Sequence, residues 1–353
     1  MTRVQRVQNL LDGKRIERPV IFDLIRNDTA IEYYARDKFD GINDAKLIYK
    51  IFSNVIDATR PRIRIPRAEG EDILPDGRRR RLFRWTEWVE DFHFTDSDEY
   101  EKYLQKAYFN NSFDPQNYIR DRIDFYGKIA QEIKDLFVFW DAGSPGLTNL
   151  YTDVGLENFS YFLADCPEAI SEALEAITEE NIKKIEALAS HNWGDDIAIK
   201  PSAVFIGDDI AFNSGTIFSP SYLRKDFFPR LKRIIKACHN AGWQVMYHSD
   251  GNLMAVMDDL IETGMDILNP IDISAGMNIK ELHRRYPSLI FAGGIDVAQL
   301  LPFATPNEVS DVVVKTIEDA EGQIMIGSST EMHNAIPCEN VIAVYDTVLA
   351  YRY

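Results

Sequence analysis

The sequence predicts an α/β protein built as a (β/α)8 barrel, also called a TIM barrel. Eight short apolar runs typical of buried strands recur along the 353 residues, and amphipathic helical patterns lie between most of them. No glycine-rich dinucleotide-binding loop follows any of these runs. Strands that alternate with helices pair in parallel through right-handed crossovers, and eight such units close into a barrel. An open, doubly wound sheet is the competing architecture.

The fifth predicted strand is the most informative, because it follows a long helical pattern and a glycine stop at Gly242 and then ends in polar residues. The eight predicted strands are residues 19–23, 62–65, 136–140, 203–207, 244–248, 267–270, 289–292 and 324–327. The clearest helical patterns between them are residues 167–192, 221–242, 253–264, 278–287 and 306–320.

Two stretches depart from this alternation. Residues 66–95 contain the turn Pro75-Asp76-Gly77 between polar and aromatic runs, which predicts a β-hairpin near the barrel mouth. The acidic, aromatic segment 96–126 is predicted to be helix and loop on the same face. No segment resembles a linker, so residues 1–353 are expected to form a single domain with a hairpin and helical elaboration near the N-terminal third.

The charge balance argues against several classes of partner. The chain has 39 Lys and Arg residues against 56 Asp and Glu residues, a formal net charge of −17, which repels nucleic acid and anionic lipid. The basic run at residues 78–81 is interpreted as a solvated hairpin. Three scattered cysteines, no signal peptide and no run of 18 apolar residues predict a cytoplasmic protein without a membrane segment.

A histidine and a carboxylate mark the end of the fifth predicted strand. His248 and Asp250 stand two residues apart, so their side chains face the same way if extended geometry continues to Asp250. Ligands bind at the carboxyl ends of barrel strands, which makes this pair a candidate site. The structural alternative is that His248 caps the strand and Asp250 begins a turn.

Seven of the eight predicted strands end in carboxylates or close to them. Asp208 and Asp209 directly follow the fourth strand and should face opposite ways, so one of them is expected to point into the mouth. Crowded carboxylates repel unless a metal, a cationic ligand or a proton is shared among them. The residues that could converge are Asp23, Asp209, His248, Asp250 and Glu331. Asp272 and Asp296 are interpreted mainly as helix caps.

The cysteines do not suggest a structural zinc site, because Cys166, Cys238 and Cys338 stand away from the predicted strand ends. A catalytic zinc with histidine and carboxylate ligands stays open.

The C-terminal part of the chain contains the stretches GDDIAFNSGTIFSPSYLRKDFFPRLKRII, YHSDGNLMAVMDDLIETGMDILNPID, FAGGID and GSSTEMHNAIPCENVIAVYD. Together with residues 276–287 and 301–309, these stretches resemble the uroporphyrinogen decarboxylase superfamily. The resemblance is specific over residues 141–353 and weaker, though in the same order, over the first 140. It implies a (β/α)8 barrel with its site at the C-terminal mouth.

The superfamily has a decarboxylase branch, to which the chain is a partial match. The N-terminal motif of that branch resembles P-V-W-F-M-R-Q-A-G-R, whose arginines hold substrate carboxylates. The matching stretch here, R-P-V-I-F-D-L-I-R-N-D, keeps only Arg26 and gains Asp23 and Asp28. The histidine of the branch's G-H-G-I motif falls at Thr330, whereas its tyrosine is kept as Tyr151.

The second branch, the cobalamin-dependent methyltransferases, is the better match. Its thiol-methylating members draw a zinc site from H-x-C-G after the fifth strand and from a cysteine near the eighth. This chain has H-S-D-G and Thr330 at those places, so both thiolates are missing. The resemblance therefore implies a harder zinc site of histidine and carboxylates, of the kind suited to methyl ethers rather than to thiol activation.

Residues and resemblance together predict a methyltransferase that moves a methyl group from a small methylated substrate, such as a methyl ether, to a corrinoid protein. The alternatives are a uroporphyrinogen decarboxylase, or a related decarboxylase of a carboxylated small molecule, and a non-enzymatic corrinoid or tetrapyrrole carrier. The expected cofactors are zinc or another divalent metal, and a corrinoid carried by a partner protein. A homodimer is a further expectation.

The predicted roles fall into three groups. The predicted catalytic residues are His248, Asp209 and Tyr151. The predicted substrate contacts are Asp23, Arg26, Asn149, Asn269 and Thr330. The predicted metal ligands are His248, Asp250 and Glu331.

Overall fold

A computed structural model describes residues 1–39, 45–109, 112–194 and 199–353 of the chain. Its central feature is a ring of eight parallel strands, in which a curled seven-stranded sheet is completed by a short two-stranded sheet. The strands are β1 (Val20–Ile21), β2 (Ala58–Thr59), β3 (Phe137–Val138 and Trp140–Asp141), β4 (Ala203–Gly207), β5 (Gln244–His248), β6 (Ile267–Asn269), β7 (Ile290–Ile295) and β8 (Ile324–Ser328).

The eight strands close on themselves in chain order. β3 through β8 pair in sequence, each parallel to the next. β8 pairs with β1, where Met325 lies opposite Val20. β2 completes the circle, since Ala58 bridges Phe22 just after β1 and pairs with Phe137 of β3. The predicted (β/α)8 fold class is confirmed.

The predicted position of the second strand, residues 62–65, is wrong. The strand is Ala58–Thr59, and residues 62–65 form part of the loop that follows it at the mouth. A barrel strand is covered on both faces, and Arg62 and Arg64 are exposed, so the alternating Arg-Ile pattern cannot occupy that place. The seventh strand also continues beyond residue 292 to Ile295.

Helices cover the outside of the barrel. They are α1 (Arg3–Leu11), α2 (Asp28–Ala35), α3 (Ala45–Asn54), α4 (Ser97–Tyr108), α5 (Pro115–Glu132), α6 (Leu147–Val154), α7 (Leu156–Asp165), α8 (Pro167–Ser190), α9 (Pro220–Tyr222), α10 (Phe228–Asn240), α11 (Met257–Thr263), α12 (Ile279–Arg285), α13 (Leu300–Phe303), α14 (Pro306–Asp319) and α15 (Cys338–Ala350). A π-helical turn, Leu223–Phe227, joins α9 to α10.

The barrel interior is a separate apolar core that α1 closes from below. A capping box between Thr2 and Gln5 starts this helix, and its buried residues Val7 and Leu10 pack into the lumen. The lumen residues that they join are Val20, Phe22, Ala58, Phe137, Phe139, Ala203, Met246, Ile267, Ile290, Ala292 and Met325. Because large side chains fill the lower barrel, only the C-terminal end, here called the mouth, offers room for a ligand.

A buried ion cluster also fixes the lower end. Asp57, which is fully buried, accepts hydrogen bonds from Arg6 at 2.8 Å and from Arg18 at 2.7 Å. It also accepts one from the backbone N–H of Ile21 at 2.9 Å, which ties β1 to the start of β2.

The predicted elaboration is present between β2 and β3. The hairpin has a third strand, so an antiparallel sheet of Gly70–Ile73, Arg79–Leu82 and Glu87–Val89 precedes α4 and α5. Positions 110 and 111 of the predicted segment 96–126 lie outside the described residues. In the described part of the chain, no helix combines the length and the apolar character that a membrane span requires. A single domain over residues 1–353 stays a prediction.

Candidate active site

Three polar side chains meet where β4 and β5 end at the mouth. The Nε2 atom of His248 lies 3.7 Å from Oδ1 of Asp209 and 4.0 Å from Oδ1 of Asp250. One ligand atom from each of the three residues falls within 4.8 Å of the others. We call Asp209, His248 and Asp250 the mouth triad.

The backbone around Gly251 brings the two acidic loops together. Gly251 has a φ of 90°, and a Cβ there would lie 2.6 Å from the backbone nitrogen of Phe212. Glycine therefore allows the loop after β5 to lie directly on the loop after β4. In that position, the backbone N–H of Asp250 donates to Oδ1 of Asp209 at 3.1 Å.

Asn269, at the end of β6, fixes the orientation and tautomer of His248. Its side-chain nitrogen donates to the carbonyl of Ala292 at 3.1 Å, so its Oδ1 must face the histidine. The Nδ1 atom of His248 lies 2.9 Å from that oxygen and must carry the proton, because two acceptors would repel at this distance. The lone pair of Nε2 is therefore directed towards Asp209 and Asp250.

The electrostatics of the mouth triad favour a bound cation. Burial lowers the pKa of His248 well below its usual value, and the charge of Arg60 adds to this effect. Burial, followed by repulsion from Asp209, raises the pKa of Asp250 to about 7. Burial also raises the pKa of Asp209, against a hydrogen bond from Asp250 and the charge of Arg60. A cation bound among these three groups would offset the burial and the repulsion that disfavour the charged form of the two carboxylates.

The donor set suits a divalent metal ion. Donor atoms bound to one zinc ion at about 2.0–2.2 Å lie about 3.3–3.6 Å apart in a tetrahedron, and the separations from His248 are only slightly longer. Oδ1 of Asp250 is buried and has no hydrogen-bond partner among the described residues. Three protein ligands with a fourth position open form the usual pattern of a catalytic zinc site. Asn269 supplies the outer-sphere acceptor that metal-binding histidines commonly have.

The two adjacent acids after β4 have different functions. Asp208 is buried and accepts hydrogen bonds from the backbone N–H groups of Gly146, Leu147 and Thr148 at 2.6–3.1 Å. It thereby satisfies the N-terminus of α6, which has no side-chain cap of its own. Asp209 faces the opposite way, into the mouth, as the alternation along an extended chain requires.

Tyr151 supports the Asp209 loop from α6. Its hydroxyl donates to the backbone carbonyl of Asp209 at 3.2 Å. Burial raises its pKa to about 12, so the phenol is neutral near pH 7. This geometry gives Tyr151 a positioning role, and its predicted catalytic role stays a prediction.

Arg60 reaches the site and was not predicted. It follows β2 directly, and its guanidinium lies 3.3 Å from Nδ1 of His248 and 3.4 Å from Oδ1 of Asn269. Because Nδ1 already carries a proton, the productive hydrogen bond is the one to Asn269. The same guanidinium lies 5.4 Å from the ring centre of Phe205 in β4, a cation–π contact. A correct position for the second strand would have placed Arg60 at a strand end.

Glycine at position 207 makes room for these contacts. A Cβ on Gly207 would come within 2.9 Å of the Phe205 ring and 3.8 Å of the His248 ring. The two rings lie 5.5 Å apart between their centres. Gly207 therefore allows Phe205 to lie beside His248.

The mouth is not uniformly acidic, contrary to what the strand-end residues suggested. A cavity of about 240 Å³ is lined by Arg60 and Phe205, which both lie beside His248. Four arginines and one aspartate are among the residues that line it: Arg26, Arg60, Arg62, Arg64 and Asp141. A larger cavity of about 650 Å³ lies elsewhere, between α5 and the residues that precede β4 and β5.

Asp23 lies at the mouth end of β1 but within the protein. It is 2% exposed, and its carboxylate accepts hydrogen bonds from Leu24 N, Ser328 N, Ser328 Oγ and Tyr345 OH at 2.5–3.2 Å. Burial raises its pKa to about 6 against these donors. The geometry favours a structural role that joins β1, β8 and α15, and contact with substrate stays a prediction.

The other predicted residues are distributed around the mouth. Arg26 pairs with Glu331 at 2.6 Å, so Glu331 as a metal ligand stays a prediction. Thr330 is half-buried just after β8, and Asn149 is exposed on α6. Of the predicted site residues, the structure brings His248, Asp209, Asp250 and Asn269 into one contact network, with Tyr151 behind it.

Comparison with known proteins identifies the family. The model of the uroporphyrinogen decarboxylase family matches residues 127–351, which include the mouth triad and Asn269. The chain therefore belongs to the uroporphyrinogen decarboxylase family. No curated protein matches the sequence significantly.

Solved structures with a related shape include a methyltransferase from Methanosarcina mazei. The two chains are 15% identical, with a TM-score of 0.65 over 98% of each chain, which establishes a shared fold. A protein described as a vitamin-B12 independent methionine synthase from Listeria monocytogenes is 13% identical, with a TM-score of 0.46 over 95% of this chain and 98% of that one.

Proposed function

We propose that the chain is a metal-dependent methyltransferase that moves a methyl group from a small methylated substrate, such as a methyl ether, to a corrinoid protein. The observation that carries the proposal is the Nε2 lone pair of His248, which is directed at two carboxylates while Asn269 holds Nδ1. The fold shared with a methyltransferase from Methanosarcina mazei is consistent with this reaction class.

The mouth triad would hold the metal, with His248 as the neutral donor and Asp209 and Asp250 as the anionic donors. A divalent ion bound there supplies Lewis acidity towards an ether oxygen, which makes the methyl group a better target for a nucleophile. Asn269 keeps the imidazole in the tautomer that binds metal, and Tyr151 holds the backbone of Asp209. Phe205 places an apolar ring beside His248.

A decarboxylase of a small carboxylated compound is the second candidate. The arginines that line the mouth cavity favour it, because a carboxylate needs cationic partners when it leaves water. Uroporphyrinogen itself is a poor candidate substrate, because the arginine motif of true uroporphyrinogen decarboxylases is represented only by Arg26, and Glu331 pairs with that side chain.

The test combines metal analysis with a methyl-transfer assay. Zinc-loaded protein is incubated with methoxylated aromatic compounds and reduced cobalamin, and methylcobalamin formation is followed by its absorbance. We expect methyl transfer by the native protein, and a strong loss in Asp250→Asn, which keeps the shape but removes an anionic ligand. Carbon dioxide release without methyl transfer would favour the second candidate. Protein that binds neither zinc nor cobalt on titration would contradict the proposal.

A further inference from the structure

Arg60 is a cation that forms no ion pair with the described residues. In the part of the chain that the structure describes, no carboxylate oxygen lies within 4.0 Å of its guanidinium nitrogens. Its Nε atom is buried and has no hydrogen-bond partner among those residues. An arginine that loses water without gaining a carboxylate is costly, so its position at a strand end calls for an anionic partner.

The residues beside Arg60 increase the local positive charge. Arg26 is 9% exposed and is already paired with Glu331. Arg62 and Arg64 are exposed, line the same cavity as Arg60 and form no ion pair within the described residues. This concentration of arginines stands out in a chain with a net charge of −17.

The charge balance of the site depends on the metal. Burial lowers the pKa of Arg60, and the negative charges of Asp250, Glu331 and Asp209 act against that effect from beyond 4.0 Å. A divalent ion bound to the mouth triad would neutralise Asp209 and Asp250. Arg60 would then be left with Glu331, which is already paired with Arg26, and with Asp141, which shares the cavity with four arginines.

The cavity has the size of a small organic molecule. Its volume of about 240 Å³ equals that of about eight water molecules at about 30 Å³ each. Arg60 and Phe205 line this cavity, and both also lie beside His248. A ligand that binds in the cavity and extends past these two side chains would face the mouth triad.

From this arrangement we infer that the substrate is a small carboxylate, whose anionic group binds Arg60 in the arginine-lined cavity while its reacting group faces the mouth triad. The inference rests on the proposed function for the identity of the reacting group. It adds a specificity determinant, Arg60, with Arg62 and Arg64 at the entrance. A planar guanidinium can donate two parallel hydrogen bonds to a carboxylate, which also orients the ligand.

Equilibrium binding tests the inference without any turnover. Two probe pairs differ in charge but little in shape: 4-methoxybenzoate with 4-methoxybenzamide, and methoxyacetate with methoxyacetamide. Binding to zinc-loaded protein is measured by calorimetry. We expect each acid to bind at least about thirtyfold more tightly than its amide, the range of a buried charge pair.

Variants at position 60 test whether Arg60 causes the preference for the acid over the amide. In Arg60→Gln the preference should fall to about threefold or less, while Arg60→Lys should keep part of it. Arg120→Gln is the matched control, because it removes one positive charge from an exposed position on α5, where Arg120 forms an ion pair with Asp121 and with no other described residue. If Arg60→Gln does not fold, Arg64→Gln is expected to lower the preference in part.

Each outcome of the binding experiments either supports or overturns the role of Arg60. Equal binding of acid and amide to native protein, or no acid binding, overturns the inference. An unchanged preference in Arg60→Gln overturns it as well, because the acid then binds elsewhere. Loss of zinc in Arg60→Gln would show that Arg60 only positions His248, against the inference. Tight, Arg60-dependent acid binding without methyl transfer would keep the inference and remove the proposed function.

Discussion

His248 and Asn269 form the one hydrogen bond that decides what the mouth can bind. The Nδ1 atom of His248 and the Oδ1 atom of Asn269 are 2.9 Å apart, and Asn269 cannot turn because its nitrogen donates to Ala292. The imidazole is therefore held as a neutral donor that faces Asp209 and Asp250.

Replacing Asn269, the hydrogen-bond partner of His248, should weaken metal binding without abolishing it. In Asn269→Ala the imidazole loses its acceptor, and we expect metal affinity to fall by about 10–100-fold. Competition against a chelating dye measures this affinity. Asn149→Ala, on the exposed side of α6, is the control and should keep native affinity. Equal affinities in the two variants would show that Asn269 does not orient His248.

Removing the histidine itself should abolish stoichiometric metal binding. Native protein is expected to hold roughly one divalent ion, and His248→Ala none, because two carboxylates alone make a weak site. The fold should persist, since a residue at the mouth contributes little to the lower core. His239→Ala is the matched control, because it also removes a histidine. His239 lies outside the site, where its Nε2 atom is 2.9 Å from Oδ2 of Asp266. Elemental analysis and thermal melts of both variants decide the point, and full metal content in His248→Ala would refute it.

Adding a methyl group at position 207 should destabilise the protein. A Cβ there would approach the Phe205 ring to 2.9 Å, so Gly207→Ala should lower the free energy of unfolding by about 1–3 kcal/mol. Gly70→Ala, where a Cβ meets no atom within 4 Å, should change it by no more than about 0.5 kcal/mol. Urea denaturation compares the two. A Gly207→Ala protein as stable as native would mean that Phe205 moves freely.

Asp23 should make stability depend on pH. Its folded-state pKa is raised to about 6, so its protonated form favours the folded state. This contribution is complete below about pH 4 and is lost as the pH rises to about 6, a change of about 3 kcal/mol for a shift of this size. The free energy of unfolding of native protein, relative to Asp23→Asn, should therefore fall over that interval and level off above it.

Urea unfolding at several pH values between about 4 and 7.5 measures this difference. A constant offset is expected in Asp23→Asn, because an amide has one acceptor oxygen for backbone donors from both Leu24 and Ser328. Only the change with pH of the difference between the two unfolding free energies reports on the raised pKa of Asp23. A difference that stays constant between about pH 4 and pH 6 would contradict that raised pKa.

The sequence predicted the barrel because strand periodicity and helix patterns are local properties. It also placed His248, Asp209 and Asp250 at strand ends, where a shift of one or two residues does not matter. Arg60 was missed for a local reason as well. The alternating Arg-Ile run at residues 62–65 has the period of a strand, whereas the true strand, Ala58–Thr59, is too short to show any period.

The partners of the carboxylates could not be inferred from the sequence. Asp23 and Asp208 stand at strand ends just as Asp209 does, but the first meets Tyr345 of α15 and the second meets the start of α6. Which acid faces solvent and which meets internal donors depends on contacts between distant segments. Local sequence patterns do not show which distant segments meet.

The strands of the barrel wall differ in how many residues they pair, and β2 is among the most sparsely paired. β4 and β5 share five residue pairs, whereas β2 reaches β3 through two pairs and β1 through one bridge. Segments with few ladder hydrogen bonds open at the lowest free energy, so amide exchange should be fastest along β1 and β2, which each have two residue pairs on one side and one bridge on the other. Arg60 directly follows the sparsely paired β2, whereas His248 ends β5, which shares five residue pairs with β4. Local opening should therefore displace the side of the mouth that carries Arg60 more readily than the mouth triad.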